Sequence, residues 1–352
     1  MQFDVILGNP PYQKRDGGFG ASAVPIYQLF VEIAKSLAPR MIAMVIPARW
    51  MCGGRGLAEF RMTMLSDKRM KMLFDMADSR EAFSGVSVAG GVCFFVWDRD
   101  YTGDCEVIEY GSNKIQSQTR RTLLVNGIDV HVRSATTLEI LKKISNVEQG
   151  PDASSQSIAL PDERRFSEHV SAQKPFGLRT NFRGEGKKTA DLDLMVIQSE
   201  GVGWTERTQI RKNLDLIDKW KIFTSKSSSE HGGQPDKTGR RRVISRTGVI
   251  PPGTVVTESY VLLGVFDTEE EARNCLSYVA TRFFRYLLLA STSGQDLARS
   301  TYQFVPVQSY SKAWTDEELY LKYGLTQDEI EHIESKIKGL RCDPGEAYLL
   351  SV

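Results

Sequence analysis

The stretch Phe3-Asp4-Val5-Ile6-Leu7-Gly8-Asn9-Pro10-Pro11-Tyr12 constrains this chain more than any other. Phe3 to Leu7 is a short apolar run with β-branched residues and a turn signal after it, so it reads as a buried strand. Gly8 lets the chain leave that strand at any φ. Pro10 and Pro11 fix two consecutive φ angles and remove two donors. Asn9 precedes a proline and is pushed to an extended conformation. The product is a stiff polar hook at the carboxyl end of a strand. In open α/β sheets that is where ligands bind.

The hook suits one kind of chemistry. The Asn9 side-chain oxygen and the Pro10 carbonyl are acceptors. Two fixed acceptors can hold both hydrogens of an aromatic amino group and aim its lone pair at a methyl donor. Tyr12 offers a flat face for stacking. The prolines hold this geometry before a substrate arrives, which is where positioning contributes to rate.

These residues resemble the amino-group DNA methyltransferases specific for adenine, whose signature is Asn-Pro-Pro-Tyr after an apolar strand. The resemblance covers most of the chain and is to the large methylases of restriction–modification systems that carry their own target-recognition domain. Val24-Pro25-Ile26-Tyr27, Ile46-Pro47-Ala48-Arg49-Trp50, Gly53-Gly54-Arg55-Gly56 and Ala89-Gly90-Gly91-Val92 carry it further. So do Thr257-Glu258-Ser259-Tyr260 and Trp314-Thr315-Asp316-Glu317-Glu318-Leu319-Tyr320. It implies that Asn9, Pro10, Pro11 and Tyr12 act on an adenine flipped out of duplex DNA, since the amino group is unreachable within the stack. It implies S-adenosylmethionine as methyl donor, and that Phe83, in Ala82-Phe83-Ser84-Gly85, packs with Tyr12 against the extruded base.

With 352 residues, 41% of them hydrophobic, there is room for two domains with separate cores. A formal net charge of +1 means that any nucleic-acid-binding face must be local. No apolar stretch reaches the roughly 18 residues of a membrane span, and no secretory signal is seen, so a cytoplasmic location is expected. Cys52, Cys93, Cys105, Cys275 and Cys342 are scattered, as are His131, His169, His231 and His332. Neither set has metal-ligand spacing, and no metal site is expected.

Along the chain, Gln13 to Val24 is a polar, glycine-rich loop beside the hook; Gly18 and Gly20 do not begin a dinucleotide fingerprint. Tyr27 to Leu37 is amphipathic, with Phe30, Ile33, Ala34 and Leu37 on one face. Met41 to Ile46, Met70 to Phe74 and Gly91 to Trp97 read as strands, and Leu57 to Leu65 as a helix. This alternation predicts an α/β fold with a mostly parallel, doubly wound, Rossmann-like sheet. The expected division is a catalytic portion over 1–146, a linker over 147–160 and a DNA-recognition domain over 161–352.

The second part carries Arg164-Arg165, Arg179, Arg183, Lys187-Lys188 and Arg240-Arg241-Arg242. Residues 161–250 hold an excess of roughly six basic side chains, the footprint of a phosphate-binding face. Arg179, Arg183, Lys187, Lys188, Arg240, Arg241 and Arg242 are the candidate contacts to double-stranded DNA. Ser227 to Arg242 reads as a loop that orders on DNA. Thr268 to Leu289 reads as the longest helix. Thr268…Glu271, Thr315…Glu318 and Thr326…Glu329 read as capping boxes. The last two open an acidic helical segment that should face away from DNA.

In the family a glycine-rich turn upstream of the hook holds S-adenosylmethionine. Neither Leu263-Gly264-Val265-Phe266 nor Ser293-Gly294-Gln295-Asp296 has the spacing to replace it. The expectation is a C-terminal portion beginning at the fourth strand of the catalytic sheet, completed by a missing N-terminal half or a separate subunit. Two other readings are a non-catalytic DNA-recognition subunit and a metal-dependent nuclease built on Asp162 and Glu185-Gly186-Lys187; the second is weak because Glu185 sits in a loop.

Overall fold

The computed structural model describes residues 3–14, 24–54, 56–85, 88–150, 157–228, 235–292 and 297–340. The first half builds one six-stranded sheet in the order β1-β2-β4-β3-β5-β6. Its strands are β1 (Val5–Gly8), β2 (Met41–Pro47), β3 (Met70–Met76), β4 (Val92–Asp98), β5 (Cys105–Gly111) and β6 (Lys114–Arg121). The fold is α/β, and the sheet is mixed. β1 runs parallel to β2 and β3 to β5, whereas β4 is antiparallel to both β2 and β3, and β6 to β5. A mostly parallel sheet was the expectation. The difference lies in the link from β3 to β4, which holds a 3-10 turn (Ser79–Glu81) and no full crossover helix. Without that helix the chain returns antiparallel beside the strand it left.

Two helices cover this sheet, α1 (Tyr27–Ser36) and α2 (Ala58–Ser66). α1 buries Tyr27, Val31 and Ala34. Phe30, Ile33 and Leu37, expected in the core, are instead exposed, along with Leu29. The apolar residues of α1 cover more than half its circumference, so periodicity alone could not choose which stripe faces the sheet. Beneath the sheet lie Ile42, Ile46, Phe95 and Trp97, each nearly inaccessible; burying one such side chain contributes roughly 1.5–3 kcal/mol. β1 is the outer strand, with its second edge unpaired among the described residues, and Leu7 on it is 74% exposed.

The second half forms two three-stranded sheets, β10-β9-β12 and β11-β7-β8. Their strands are β7 (Leu194–Gln198), β8 (Gly201–Thr205), β9 (Trp220–Ser225), β10 (Thr247–Ile250), β11 (Thr254–Val256) and β12 (Tyr260–Phe266). Helix α3 (Ala135–Gln149) and the strand-like run before it bury Ile128, Val130, Ile140 and Leu141 in one core with Phe283, Leu287 and Ile333.

The long helix expected over 268–289 is two helices, α4 (Glu269–Ala280) and α5 (Arg282–Ser291). Thr281 separates them at φ −62°, ψ 153°, and its hydroxyl caps the Phe284 N–H. The Asp316 carboxylate accepts from the N–H groups of Arg282 (3.1 Å) and Phe283 (2.9 Å). Together these satisfy donors that an uninterrupted helix would have spent on its own carbonyls. Helices α6 (Asp316–Lys322) and α7 (Gln327–Lys336) each open with a complete capping box. At α4 the Glu271 side chain meets the Thr268 hydroxyl instead of its backbone N–H. Among the described residues no helix is long and apolar enough to cross a membrane.

Candidate functional site

Gly8 pairs in register with Met44 on β2, so the hook leaves the sheet at its carboxyl edge. Asn9 and Pro11 are exposed, Pro10 is buried and Tyr12 is half-buried. Among the described residues, nothing donates a hydrogen bond to the Asn9 side chain or to the Pro10 carbonyl. The hook is closed on its far side by backbone bonds. Ile26 N–H donates to the Tyr12 carbonyl (3.2 Å), Lys14 N–H donates to the Val24 carbonyl (3.0 Å), and Gln13 bridges Pro25. The loop expected beside the hook lies over 15–23, outside the described residues.

The Tyr12 hydroxyl points inward and has no hydrogen-bond partner among the described residues. Burial raises its pKa, and the Cys93 sulfur adds to the effect. Tyr12 is therefore held neutral, with part of its ring open. Behind the hook, Tyr27 and Trp50 both meet Phe60 edge-on, each at 6.0 Å between centroids. Trp50 lies in the 3-10 turn Ala48–Met51 that follows β2, so these rings brace the hook's floor.

Phe83 is half-buried in the β3–β4 link, on the same carboxyl edge. Its N–H bonds the Ser79 carbonyl at 2.9 Å. Two strands, β2 and β4, separate β3 from β1 at that edge. The link is pinned at its end by Gly91, whose carbonyl accepts from Ala48 N–H at 3.0 Å, and by Arg133, which donates to the Gly90 carbonyl at 2.8 Å. Arg133 also forms a two-pronged ion pair with buried Asp75. Sequence reading did not find this clamp: a lone Asp in a strand and a lone Arg before a helix carry no spacing signal.

The basic candidates separate into two groups. Arg179, Arg183, Lys187 and Lys188 are all exposed in the segment leading to β7. That segment is docked on β8: Glu185 and Trp204 exchange backbone hydrogen bonds at 2.9 Å, and the Lys188 ammonium stands 5.0 Å from the Trp204 ring centre. Arg183 reaches Glu200 at 3.6 Å. Of the arginine triplet, Arg240 is exposed, whereas Arg241 and Arg242 are half-buried. Arg241 N–H bonds the Lys336 carbonyl (2.8 Å), and the Arg242 carbonyl accepts from buried Arg285 (3.1 Å). Part of the loop expected over 227–242, residues 229–234, lies outside the described residues. Over 235–242 the Asp236 carboxylate organises the chain, accepting from the N–H groups of Thr238 and Arg240 and from Lys338.

Among the described residues no trio of His, Cys, Asp or Glu could hold a metal ion. Asp162 pairs with Arg165, and Glu185 is exposed in its backbone bridge.

Residues 1–83 match the family model described as Eco57I restriction-modification methylase. An uncharacterized adenine-specific methylase of Mycoplasma pneumoniae is 36% identical over 135 residues, 36% of this chain and 32% of that protein. The matched region thus spans about a third of that relative's length. Among solved structures, the type IIL restriction-modification enzyme MmeI, in a complex with DNA, aligns over 85% of this chain and 45% of its own at 11% identity, with a TM-score of 0.45. The type IIG restriction endonuclease BpuSI aligns over 98% and 49% at 12% identity, with a TM-score of 0.35.

Proposed function

We propose that this chain, whose residues 1–83 carry an Eco57I-type restriction-modification methylase domain, supplies the amino-group-holding hook and the DNA-binding surface of an adenine-specific DNA methyltransferase. One observation carries the reading. The Asn9 side chain and the Pro10 carbonyl stand at the carboxyl edge with no donor from the described residues, on a hook that the prolines and the Tyr12–Ile26 bond hold rigid. In this role they accept the two hydrogens of a flipped adenine's amino group, and the open part of the Tyr12 ring stacks on the base. Phe83 contributes a second apolar contact from the β3–β4 link.

S-adenosylmethionine supplies the methyl group. The described residues do not fit it as a complete site, because beside β1 there is an open strand edge and no glycine-rich turn. A complementary portion or subunit that pairs with β1 is proposed to hold it. DNA contacts are assigned to Arg179, Arg183, Lys187, Lys188 and Arg240, with Arg241 and Arg242 bracing the segment behind them.

The test is Asn9→Ala in an enzyme reconstituted with a cofactor-binding portion. Losing a preorganised acceptor at the reacting group should cost roughly 3 kcal/mol or more in turnover, on the scale of an oxyanion-hole deletion. DNA affinity should remain within twofold or so of the parent, because Asn9 touches no phosphate. Near-normal turnover would reduce the hook to a turn.

A further inference from the structure

At the other end of the same carboxyl edge, between β3, β5 and the C-terminal helices, lies a cavity of about 430 Å3. Tyr110, Ser117 and Ser134 line it from the sheet side, and Arg241, Tyr286 and Lys336 from the helical side. It is distinct from the hook, because β2, β4 and β3 intervene between β1 and β5.

The charges in its walls do not balance. Asp75 is answered by Arg133 at 2.5 Å. The remaining acid in the wall, Glu109, already accepts the Ala135 N–H at 3.0 Å, at the start of α3. Facing it are two cations from distant parts of the chain. They are brought together by a short parallel bridge, in which Arg241 N–H bonds the Lys336 carbonyl and Lys338 N–H bonds the Arg241 carbonyl. The Lys336 ammonium has no hydrogen-bond or ion-pair partner among the described residues. Although its side chain reaches solvent, burial by the surrounding protein lowers its pKa, and the like charge of Arg241 lowers it further, against a smaller pull from Glu109. His332, one turn earlier on α7, is pushed down to about 4, by burial and then by Lys336, and is neutral at pH 7.

A fold that sets two like charges side by side in a half-enclosed space bears a Coulombic cost that an anion would offset. The hydroxyls supply neutral donors suited to the same anion. Tyr286, fixed by its bond to the Thr137 hydroxyl (2.6 Å), and Tyr110 add flat apolar surface beside the cations. Phosphate next to an aromatic wall is the chemistry of a nucleotide, and the volume is of that order.

We propose that this cavity binds a nucleotide, with Lys336 and Arg241 on its phosphate and Tyr110 and Tyr286 against its nucleoside. A free mononucleotide and a nucleotide within a DNA strand share this chemistry. The site is independent of the methyltransferase reading, and its test uses no methylation assay.

The purified chain is titrated calorimetrically with AMP and with a short single-stranded oligonucleotide lacking terminal phosphates, at matched ionic strength. Lys336→Gln should weaken binding about tenfold or more, the scale of a lost charged hydrogen bond. Lys336→Arg should keep most of it. Lys338→Gln, which removes an amine paired with Asp236 at 2.7 Å, should leave it unchanged. Loss confined to AMP assigns the site to free nucleotides, and loss confined to the oligonucleotide assigns it to a DNA strand. In the unsubstituted chain, whichever ligand binds should shield Lys336 from amine acylation, a readout that no folding defect can disturb. The proposal is overturned if neither ligand shields Lys336, or if Lys336→Gln binds both as tightly as the parent.

Discussion

Asp75 and Arg133 lie 58 residues apart in sequence and form a two-pronged ion pair at 2.5 and 2.7 Å. Asp75 is buried on β3, and Arg133 also holds the Gly90 carbonyl. One guanidinium thus ties the sheet's carboxyl edge to the segment leading into α3. Removing it leaves a buried carboxylate without its counter-charge. Arg133→Met should destabilise by roughly 3–5 kcal/mol. The double variant Asp75→Asn/Arg133→Met should recover a large part of that. Urea unfolding of the four proteins of the cycle measures the coupling; additive losses would show that the pair acts separately.

Gly91 should be the least replaceable glycine at this edge. Its φ is +82°, and a Cβ there would stand 2.2 Å from the Met76 carbonyl oxygen and 2.7 Å from that of Ala77. Both contacts are backbone, so neither can swing aside. Gly91→Ala should cost roughly 3 kcal/mol or more, beyond the 1–2 kcal/mol of left-handed backbone alone. Gly253 has a similar φ of +75° with open space around it. Gly253→Ala should therefore cost only the backbone part. Equal effects on the midpoint of unfolding would refute the steric argument.

Asp67 sets an acid limit on stability. Burial works against its charge, but Arg69, Lys35 and the Trp97 indole N–H hold its carboxyl well below the usual carboxylate range. Its folded pKa is lower than its unfolded one. The unfolded chain therefore takes up the proton first as pH falls. The stabilisation is fully present above the unfolded pKa of about 4 and is lost as pH falls through the folded value. Thermal melts from pH 6 to pH 2 should show this loss, and Asp67→Asn should flatten it. An unchanged acid slope in the variant would remove Asp67 as its source.

Salt dependence should separate the arginines that the triplet places together in sequence. Arg240 is exposed, whereas Arg241 and Arg242 are half-buried and tied through their backbones to α7 and α5. If Arg240, Lys187 and Lys188 touch phosphates, each alanine substitution should reduce the slope of log affinity against log salt by about one. Binding to a duplex measured from low to moderate salt decides this. A slope unchanged in all three variants would move the DNA face elsewhere.

The outer edge of β1 should behave as an open template. Val5 and Leu7 are exposed, and the strand is paired only with β2 among the described residues. Such an edge invites a further strand. The exposed Leu29, Phe30 and Ile33 of α1 extend the apolar surface that a complementary portion would cover. Hydrogen exchange should find outward-facing amides of Val5 to Gly8 fast in the isolated chain and slowed when such a portion is added. If all of them exchange as slowly as β4 in a monodisperse monomer, the edge is covered from within this chain.

Local chemistry was legible without a structure. A hook of Gly8, Asn9, Pro10 and Pro11 follows from φ restrictions that act on neighbouring residues, and the strand before it from its own apolar run. The capping boxes at Thr315 and Thr326 are of the same kind, because both partners lie within one turn. What depended on distant partners was not legible. Which stripe of α1 faces the sheet, the antiparallel entry of β4, and the break at Thr281, where Asp316 reaches across from α6, are settled by packing between elements far apart in the chain. The pairing of Asp75 with Arg133 and of Arg241 with Lys336 is likewise decided by tertiary structure. An isolated charge carries no record in sequence of the partner that burial will force on it.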